Sequence, residues 1–220
     1  AQLAGCIRSD RRDGGRHRRR CRARRFDLVF WPRLARLILR LGGWTVVGGP
    51  PDINKAVFIG AHHTSNWDGF WALVYMVATG LRVKFFIKKS MFWFPLNIVL
   101  SGLGGVPLDR GKAGRAVDQA VELLDSSDRF FFGLAPEGTR SPKEGWKSGF
   151  YRIAERANVP IVLCFFCYKT RRLGIGPIMT LTGDVDADLA IMNSFYETVE
   201  GRYPEKASPV VFISRRKNRA

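Results

Sequence analysis

Strand-like apolar runs alternate with helix-like segments along most of the chain, and this alternation constrains the fold more than any other feature. Strands are predicted at residues 44–47, 55–61, 82–88, 129–134, 159–168 and 178–182. Helices are predicted at 28–42, 69–79, 112–127, 150–157 and 186–201. Because this order is typical of crossover connections, it predicts an α/β fold. We expect a single domain with a mixed, largely parallel sheet covered by helices on both faces.

A histidine and an aspartate, His63 and Asp68, lie where the predicted strand 55–61 passes into the predicted helix 69–79. Ser65 or Asn66 can cap that helix. Because the chain bends at a cap, Asp68 in the first turn can reach back to the His63 ring. A carboxylate on one ring nitrogen leaves the other free to accept a proton, which is what deprotonation of a hydroxyl requires. The alternative is a histidine that is merely satisfied in a turn.

A second polar cluster, residues 135–141, has the sequence Ala-Pro-Glu-Gly-Thr-Arg-Ser and follows the apolar run 130–134. Loops that follow central strands are where α/β proteins place ligands. Arg140 offers a fork of donors suited to a phosphate, and Gly138 lets the backbone approach a ligand closely. Glu137 could orient Arg140 or accept a hydrogen bond from a substrate hydroxyl. The alternative is a surface turn with an ion pair.

With two further segments, these clusters make the chain resemble the glycerophospholipid acyltransferase family, typified by 1-acyl-glycerol-3-phosphate acyltransferases. The first family motif, His-x4-Asp, is matched by His63 and Asp68. A Gly-rich segment ending in arginine is matched by 104–110, Glu-Gly-Thr-Arg-Ser by 137–141, and a strand beginning Val-Pro-Ile by 159–162. The ordered set covers roughly residues 28–185. His62 stands where many members carry Asn, and we assign it no catalytic role.

The resemblance implies transfer of a fatty acyl group from acyl-CoA or acyl-acyl carrier protein to a lysophospholipid such as 1-acyl-glycerol-3-phosphate, giving phosphatidate. His63 would take the hydroxyl proton, and Asp68 would fix the ring tautomer and stabilise the imidazolium. The thiolate leaves readily because a thiol is far more acidic than an alcohol. No protein nucleophile or cofactor is then expected. The main alternative is the same chemistry on another lysophospholipid, an aminoacyl lipid or a glycolipid.

Arg110 and Arg140 are predicted to bind the acceptor phosphate, together with Glu137, Gly138 and Thr139. Each arginine lies at the end of an apolar strand-like run and near glycine, which favours a binding site. The alternative is ordinary surface charge.

The net charge of +17 is concentrated at the chain ends. Residues 1–25 carry ten Arg against two Asp, and residues 206–220 form a basic tail. Residues 1–25 and the basic run 215–219 are predicted to be disordered, because like charges repel and neither segment can build a core. The expected domain organisation is therefore an arm at 1–25, an acyltransferase domain at 26–205 and a tail at 206–220. A nucleic-acid-binding protein is the rival suggested by charge alone, but no motif for nucleic-acid recognition accompanies the charge.

The predicted helix 28–42 favours a membrane surface, and not nucleic acid, as the partner of the basic segments. Its apolar residues recur at helical spacing, with arginines on another face: Leu34, Leu37, Ile38 and Leu41 against Arg33, Arg36 and Arg40. A basic amphipathic helix of this kind can lie in a membrane interface. No apolar run reaches the roughly 20 residues that span a bilayer. We therefore expect a peripheral, monotopic protein on the cytoplasmic face of an anionic membrane. The alternative is a core-packing helix.

Residues 91–96 form an apolar segment that could be a second contact surface near the acyl entrance or part of the core.

The cysteines and histidines do not predict a metal or redox site. Cys164 and Cys167 lie three apart within one apolar strand, so their side chains would face opposite sides. Buried packing is the expected role of both. With only three His, one of them in the basic arm, no metal cluster is predicted.

Overall fold

The computed structural model describes residues 30–89, 93–108 and 113–213. The strands are β1 (Thr45–Val47), β2 (Lys55–Gly60), β3 (Val83–Lys88), β4 (Gly105–Leu108), β5 (Phe130–Leu134), β6 (Ile161–Cys167) and β7 (Arg172–Met179). The helices are α1 (30–41), α2 (Asn66–Thr79), α3 (Leu96–Gly102), α4 (Ala113–Asp125), α5 (Gly149–Arg156) and α6 (Val185–Tyr196). A 3-10 turn, Pro204–Lys206, follows α6.

The seven strands form one sheet in the order β1-β7-β6-β2-β5-β3-β4. All neighbouring pairs are parallel except β6 and β7. Five adjacent strands therefore run in one direction, and β7 and β1 run in the other. The prediction of a mixed, largely parallel sheet is confirmed.

Both faces of the sheet are buried, as the near-continuous apolar strands require. Along β2, Val57 and Ile59 face one hydrophobic core, which is completed by α4, α5 and α6. Ala56 and Phe58 face the other, to which α1 and α2 contribute. We call these the α4–α6 face and the α1–α2 face.

Three elements differ from the prediction. Helix α3 (Leu96–Gly102) was not predicted, and glycine and proline explain the other two, β7 and β4. A strand was predicted at 178–182, but β7 begins at Arg172. Its start was missed because Gly174, Gly176 and Pro177 interrupt the apolar pattern that predicts a strand. A side chain at Gly176 would collide with the Phe195 ring of α6, so glycine there permits close packing. β4 was not predicted at all; it contains Pro107, which an outermost strand tolerates.

The first helix, α1, is present, and part of the apolar stripe that was predicted to contact a membrane faces outwards. Ala35 and Leu39 are buried, whereas Leu37 and Leu41 are 50% and 79% exposed. The helix therefore packs on the core and also presents apolar residues outwards. None of the helices in the described ranges is both long and apolar enough to cross a bilayer.

Several predicted features lie outside the described residues. They are the arm at 1–25, Arg110, Met91 and Phe92, and the tail from residue 214 onwards.

Candidate active site

Three polar loops meet at one rim of the sheet because the strands that lead into them are parallel neighbours. β2 ends at Gly60, β5 at Leu134 and β6 at Cys167, and β2 lies between the other two. The carboxyl ends of parallel strands are where α/β folds bind ligands. Residues 61–68, 135–141 and 168 consequently gather at this carboxyl rim.

The start of α2 fixes Asp68. Ser65 is the N-cap, and its side-chain oxygen accepts from Trp67 N at 3.2 Å. In return, Asp68 Oδ2 accepts from Ser65 N at 2.8 Å and from Thr64 N at 3.0 Å. This reciprocal capping box holds the carboxylate still, in a position where the helix dipole also favours negative charge.

The same carboxylate meets the imidazole of His63. His63 Nδ1 lies 3.2 Å from Asp68 Oδ2, and the side chains are 28% and 1% exposed respectively. A carboxylate at Nδ1 favours the tautomer in which Nε2 is the proton acceptor. The half-buried ring therefore has a base nitrogen available to a ligand and a buried carboxylate behind it.

Tyr168, which sequence reasoning missed, completes the support of Asp68. Its hydroxyl donates to Asp68 Oδ1 at 2.7 Å from the residue that follows β6. Burial, reinforced by the bond to Asp68, raises the pKa of Tyr168 well above its ordinary value. The tyrosine therefore remains a protonated donor at any working pH. Tyr168 and Asp68 are 100 positions apart in the sequence. The signal for Tyr168 in the sequence is its position at the C-terminal end of an apolar strand.

Glu137 turns towards His63 from the next loop. It is 2% exposed, and its carboxylate oxygens accept from His63 N at 3.0 and 3.2 Å. His62 Nδ1 lies 3.5 Å from Glu137 Oε1. The carboxylate thus ties the loop after β5 to the backbone of the histidine.

In the rest of that loop, Pro136 is buried, Ala135 and Thr139 are half-buried, and Gly138, Arg140 and Ser141 are exposed. Gly138 has φ of +65°, a conformation that favours glycine, and its Cβ would lie 3.0 Å from Lys147 Nζ. Thr139 Oγ1 accepts from Ser141 N at 3.3 Å, and Arg140 is exposed. Lys147, not predicted from the sequence, adds a cation beside Gly138. The predicted partner Arg110 lies outside the described residues.

An apolar cavity of about 350 Å³ begins at His63 and runs between α2 and the sheet. Its walls include Phe58, Leu73, Met76, Leu81, Phe85 and Phe166. From Asp68 to Met76 the helix advances about 12 Å, so the cavity extends well away from the rim. Such a space accepts an elongated apolar group whose reactive end lies at the imidazole.

Cys164 lines this cavity, but its thiol is a poor nucleophile. Burial raises the pKa of its thiol to about 12, so the nucleophilic thiolate is scarce near neutral pH. Within residues 30–89, 93–108 and 113–213, no group of three or more His, Cys, Asp and Glu side chains could hold a metal ion.

Beyond the rim, apolar side chains face outwards on two segments. Trp93 and Phe94 are exposed in the described part of the predicted contact segment. Phe30, Trp31, Leu37 and Leu41 are exposed on α1. Several exposed large apolar side chains on these two segments favour an interaction site there.

Comparison with known proteins agrees with the fold and the motifs. A model of the family described as Acyltransferase matches residues 46–166, more than half of the chain. A search of curated proteins found no match. Among solved structures, the 1-acyl-sn-glycerophosphate (LPA) acyltransferase PlsC from Thermotoga maritima is similar, with a TM-score of 0.52 and 22% identity over 82% of this chain and 79% of that one. At this identity the likeness shows the shared fold.

Proposed function

Because the chain belongs to the acyltransferase family, we propose that it moves a fatty acyl group from acyl-CoA or acyl-acyl carrier protein to the free hydroxyl of a lysophospholipid such as 1-acyl-glycerol-3-phosphate. The observation that carries the proposal is the 3.2 Å approach of His63 Nδ1 to the buried Asp68 carboxylate at the mouth of an apolar cavity. An imidazole so held suits proton abstraction, and the cavity suits an acyl chain.

In the proposed reaction, His63 Nε2 takes the proton from the acceptor hydroxyl as its oxygen attacks the thioester carbonyl. The new C–O ester bond forms, and the C–S bond breaks to release the thiolate of the carrier. Asp68 stabilises the transient imidazolium, whose proton then passes to the thiolate. Positioned proton transfer of this kind typically contributes about 10²- to 10⁴-fold.

The acyl chain would occupy the cavity between α2 and the sheet. Its walls are largely apolar. Among the described lining residues, the titratable side chains are Tyr75, Cys164 and, at the rim, His63 and Asp68. Burial of the chain removes apolar surface from water at about 25 cal/mol per Å². This gain would hold the thioester carbonyl near His63 without any polar contact to the chain.

The acceptor phosphate would lie over the loop after β5. Arg140 is the described arginine of this proposed site, Lys147 adds a second cation, and Arg110 is its third member by motif. Gly138 and Thr139 would bring backbone and hydroxyl donors. Glu137 would contribute through His63, whose backbone it holds, because a carboxylate repels the phosphate itself.

We further propose peripheral attachment to the cytoplasmic face of an anionic membrane through α1. Its exposed Phe30, Trp31, Leu37 and Leu41 would enter the interface, and its arginines would meet the lipid phosphates.

The test is acyl transfer from labelled acyl-CoA and acyl-acyl carrier protein to lysophosphatidate in mixed micelles, for the wild type and His63→Ala. We expect wild-type turnover and a loss of about 10²- to 10⁴-fold in the variant, with an unchanged circular dichroism spectrum. A variant as active as the wild type would exclude the His63 mechanism. A wild type inactive with both donors would exclude lysophosphatidate, and a panel of other lysophospholipids, an aminoacyl lipid and a glycolipid would then identify the acceptor.

A further inference from the structure

A second histidine and carboxylate, His62 and Glu137, meet next to the His63–Asp68 pair. The side chains of His62 and Glu137 are 11% and 3% exposed, and His62 Nδ1 lies 3.5 Å from Glu137 Oε1. This pair is set back from the acyl cavity, because the described residues that line the cavity include His63 and Asp68 but neither His62 nor Glu137. The proposed reaction gives the His62 side chain no task.

The buried carboxylate of Glu137 can accept more hydrogen bonds than it receives. In the described part of the chain, both hydrogen bonds to its oxygens come from one N–H, that of His63, at 3.0 and 3.2 Å. A single amide offers one proton, whereas a carboxylate has room for about four hydrogen bonds. Burying such a group is costly unless further donors replace the water that it loses. A second donor would therefore stabilise Glu137 in place.

His62 has the complementary need. Its Nδ1 is buried and makes no hydrogen bond with any described residue. Glu137 Oε1 lies within ion-pair distance of this nitrogen, although 3.5 Å exceeds the usual length of an N–H···O hydrogen bond, about 2.7–3.2 Å. Hydrogen bonds around catalytic groups often tighten only in the substrate complex. A proton on Nδ1 that points at Glu137 would satisfy both buried groups.

The surroundings of His62 hold its ring in place. The ring meets that of Tyr196 at a steep angle, with a centroid distance of 5.9 Å. Tyr196 is wholly buried, and its hydroxyl donates to Ile59 O and Cys164 O, both at 3.0 Å, which fixes it to β2 and β6. A ring that is already held loses little conformational entropy when it binds a carboxylate.

From this geometry we propose that His62 is a positioning residue, whose Nδ1–H donates to Glu137 and thereby fixes the main-chain N–H of His63. His62 itself touches no substrate. The contact matters to the chemical step, because a misplacement of about 1 Å can cost about 10²-fold in rate. The inference rests on the proposed role of His63 as general base, but not on the identity of the acyl acceptor.

Two substitutions at position 62 separate a hydrogen-bond donor from packing. His62→Asn keeps an N–H donor near the place of Nδ1, whereas His62→Leu fills the space without a donor. Phe195→Leu is the packing control, because the Phe195 ring also contacts that of Tyr196, at a centroid distance of 5.0 Å, and has no polar atom to offer Glu137. Glu137→Leu removes both acceptor oxygens.

Acyl transfer from acyl-CoA to lysophosphatidate gives kcat and KM for each variant, and thermal melting followed by circular dichroism checks the fold. We expect kcat of His62→Leu to fall about tenfold to a hundredfold with an unchanged KM for acyl-CoA. His62→Asn and Phe195→Leu should stay within about threefold of the wild type. In the Glu137→Leu background, His62→Leu should cost less than about threefold more, because both substitutions break the same chain of contacts.

Three kinetic results would overturn the proposal. The first is a wild-type kcat in His62→Leu. The second is a His62→Asn variant as slow as His62→Leu, because the ring rather than the donor would then matter. The third is a pair of losses that multiply in the double variant, because His62 would then not act through Glu137.

A measurement without turnover separates this proposal from that of the acceptor. The His63 N–H donates to the buried Glu137, so its amide hydrogen exchange should be at least about tenfold faster in His62→Leu than in the wild type or His62→Asn. A wild type without acyl transfer would count against lysophosphatidate, and the exchange rates would still decide the role of His62. Equal exchange in all three proteins would show that His62 does not position His63.

Discussion

The two faces of the sheet are packed in contrasting ways. On the α4–α6 face, three helices cover the strands, and large side chains such as Trp146, Phe150 and Tyr196 are wholly buried. On the α1–α2 face, α1 and α2 cover the same strands, and the described residues there line a cavity that reaches His63 and another that is lined by Arg36 and Arg40. Packing to full density stabilises a fold, whereas space between elements admits ligands. The contrast therefore predicts that substitutions on the α4–α6 face mainly lower stability, whereas substitutions on the α1–α2 face mainly change activity.

The largest expected effect is on catalysis at the rim of the α1–α2 face. Asp68→Asn keeps an oxygen for the capping box but removes the charge behind His63, so we expect acyl transfer to fall about 10³- to 10⁴-fold. The free energy of unfolding should fall by only about 1 kcal/mol. The matched control is Asp184→Asn, at the N-cap of α6 on the α4–α6 face. Steady-state kinetics in which both variants lose the same activity would break the contrast.

For stability, the larger effect is expected on the α4–α6 face. Met192 is wholly buried on the α4–α6 face, whereas Met76 lines the cavity beside α2 and is half-buried. We expect Met192→Ala to lower the free energy of unfolding by about 2–5 kcal/mol, because it opens a void in a packed core. Met76→Ala should cost less than about 1.5 kcal/mol, because its side chain already borders empty space. Urea denaturation of the two variants compares the faces with the same chemical change, and equal losses would contradict it.

Local signals in the sequence predicted the parts of the site that lie within one turn or loop. The apolar run 55–61, the cap at Ser65 and the acid at Asp68 fixed the geometry around His63 because all of them are neighbours along the chain. Tyr168 and the cavity lined by Arg36 and Arg40 could not be predicted in this way. Tyr168 meets Asp68 only because β6 pairs with β2, and no local pattern specifies that pairing.

The same limit explains α1. The apolar period of residues 28–42 predicted the helix correctly. Which side of the helix faces the sheet depends on α2 and β7, and the residues buried there are Ala35 and Leu39. The strand β7 was displaced for a related reason: its glycines make sense only against Val47 and Phe195, which come from other elements.

A smaller effect, roughly tenfold or less in kcat/KM, is expected for Tyr168→Phe, which removes one hydrogen bond to a charged group and little volume. Asp68 would then lose one of the three hydrogen-bond donors that hold it and would orient the His63 ring less firmly. Because the orientation of the base matters to the chemical step and not to substrate binding, kcat should fall while KM for the acyl donor and the acceptor stays unchanged. A raised KM with an unchanged kcat would show that Tyr168 does not act through Asp68.

The smallest expected effect distinguishes substrates rather than rates. Gly60 lines the cavity, has an ordinary backbone conformation, and would place a Cβ 3.9 Å from the Phe166 ring, so Gly60→Ala adds a methyl group without strain. Because Gly60 ends β2 at the rim, we expect kcat/KM to fall a few-fold for every acyl-CoA whose chain enters the cavity and to stay unchanged for acetyl-CoA, since one methyl in an apolar pocket discriminates by about 1–3 kcal/mol at most. Gly149→Ala on the α4–α6 face, where a Cβ meets nothing within 4 Å, is the control and should leave the chain-length profile unaltered. If Gly60→Ala instead left kcat/KM unchanged for the long acyl-CoAs, the cavity would not be where the acyl chain lies, and the contrast between the two faces would lose its main support.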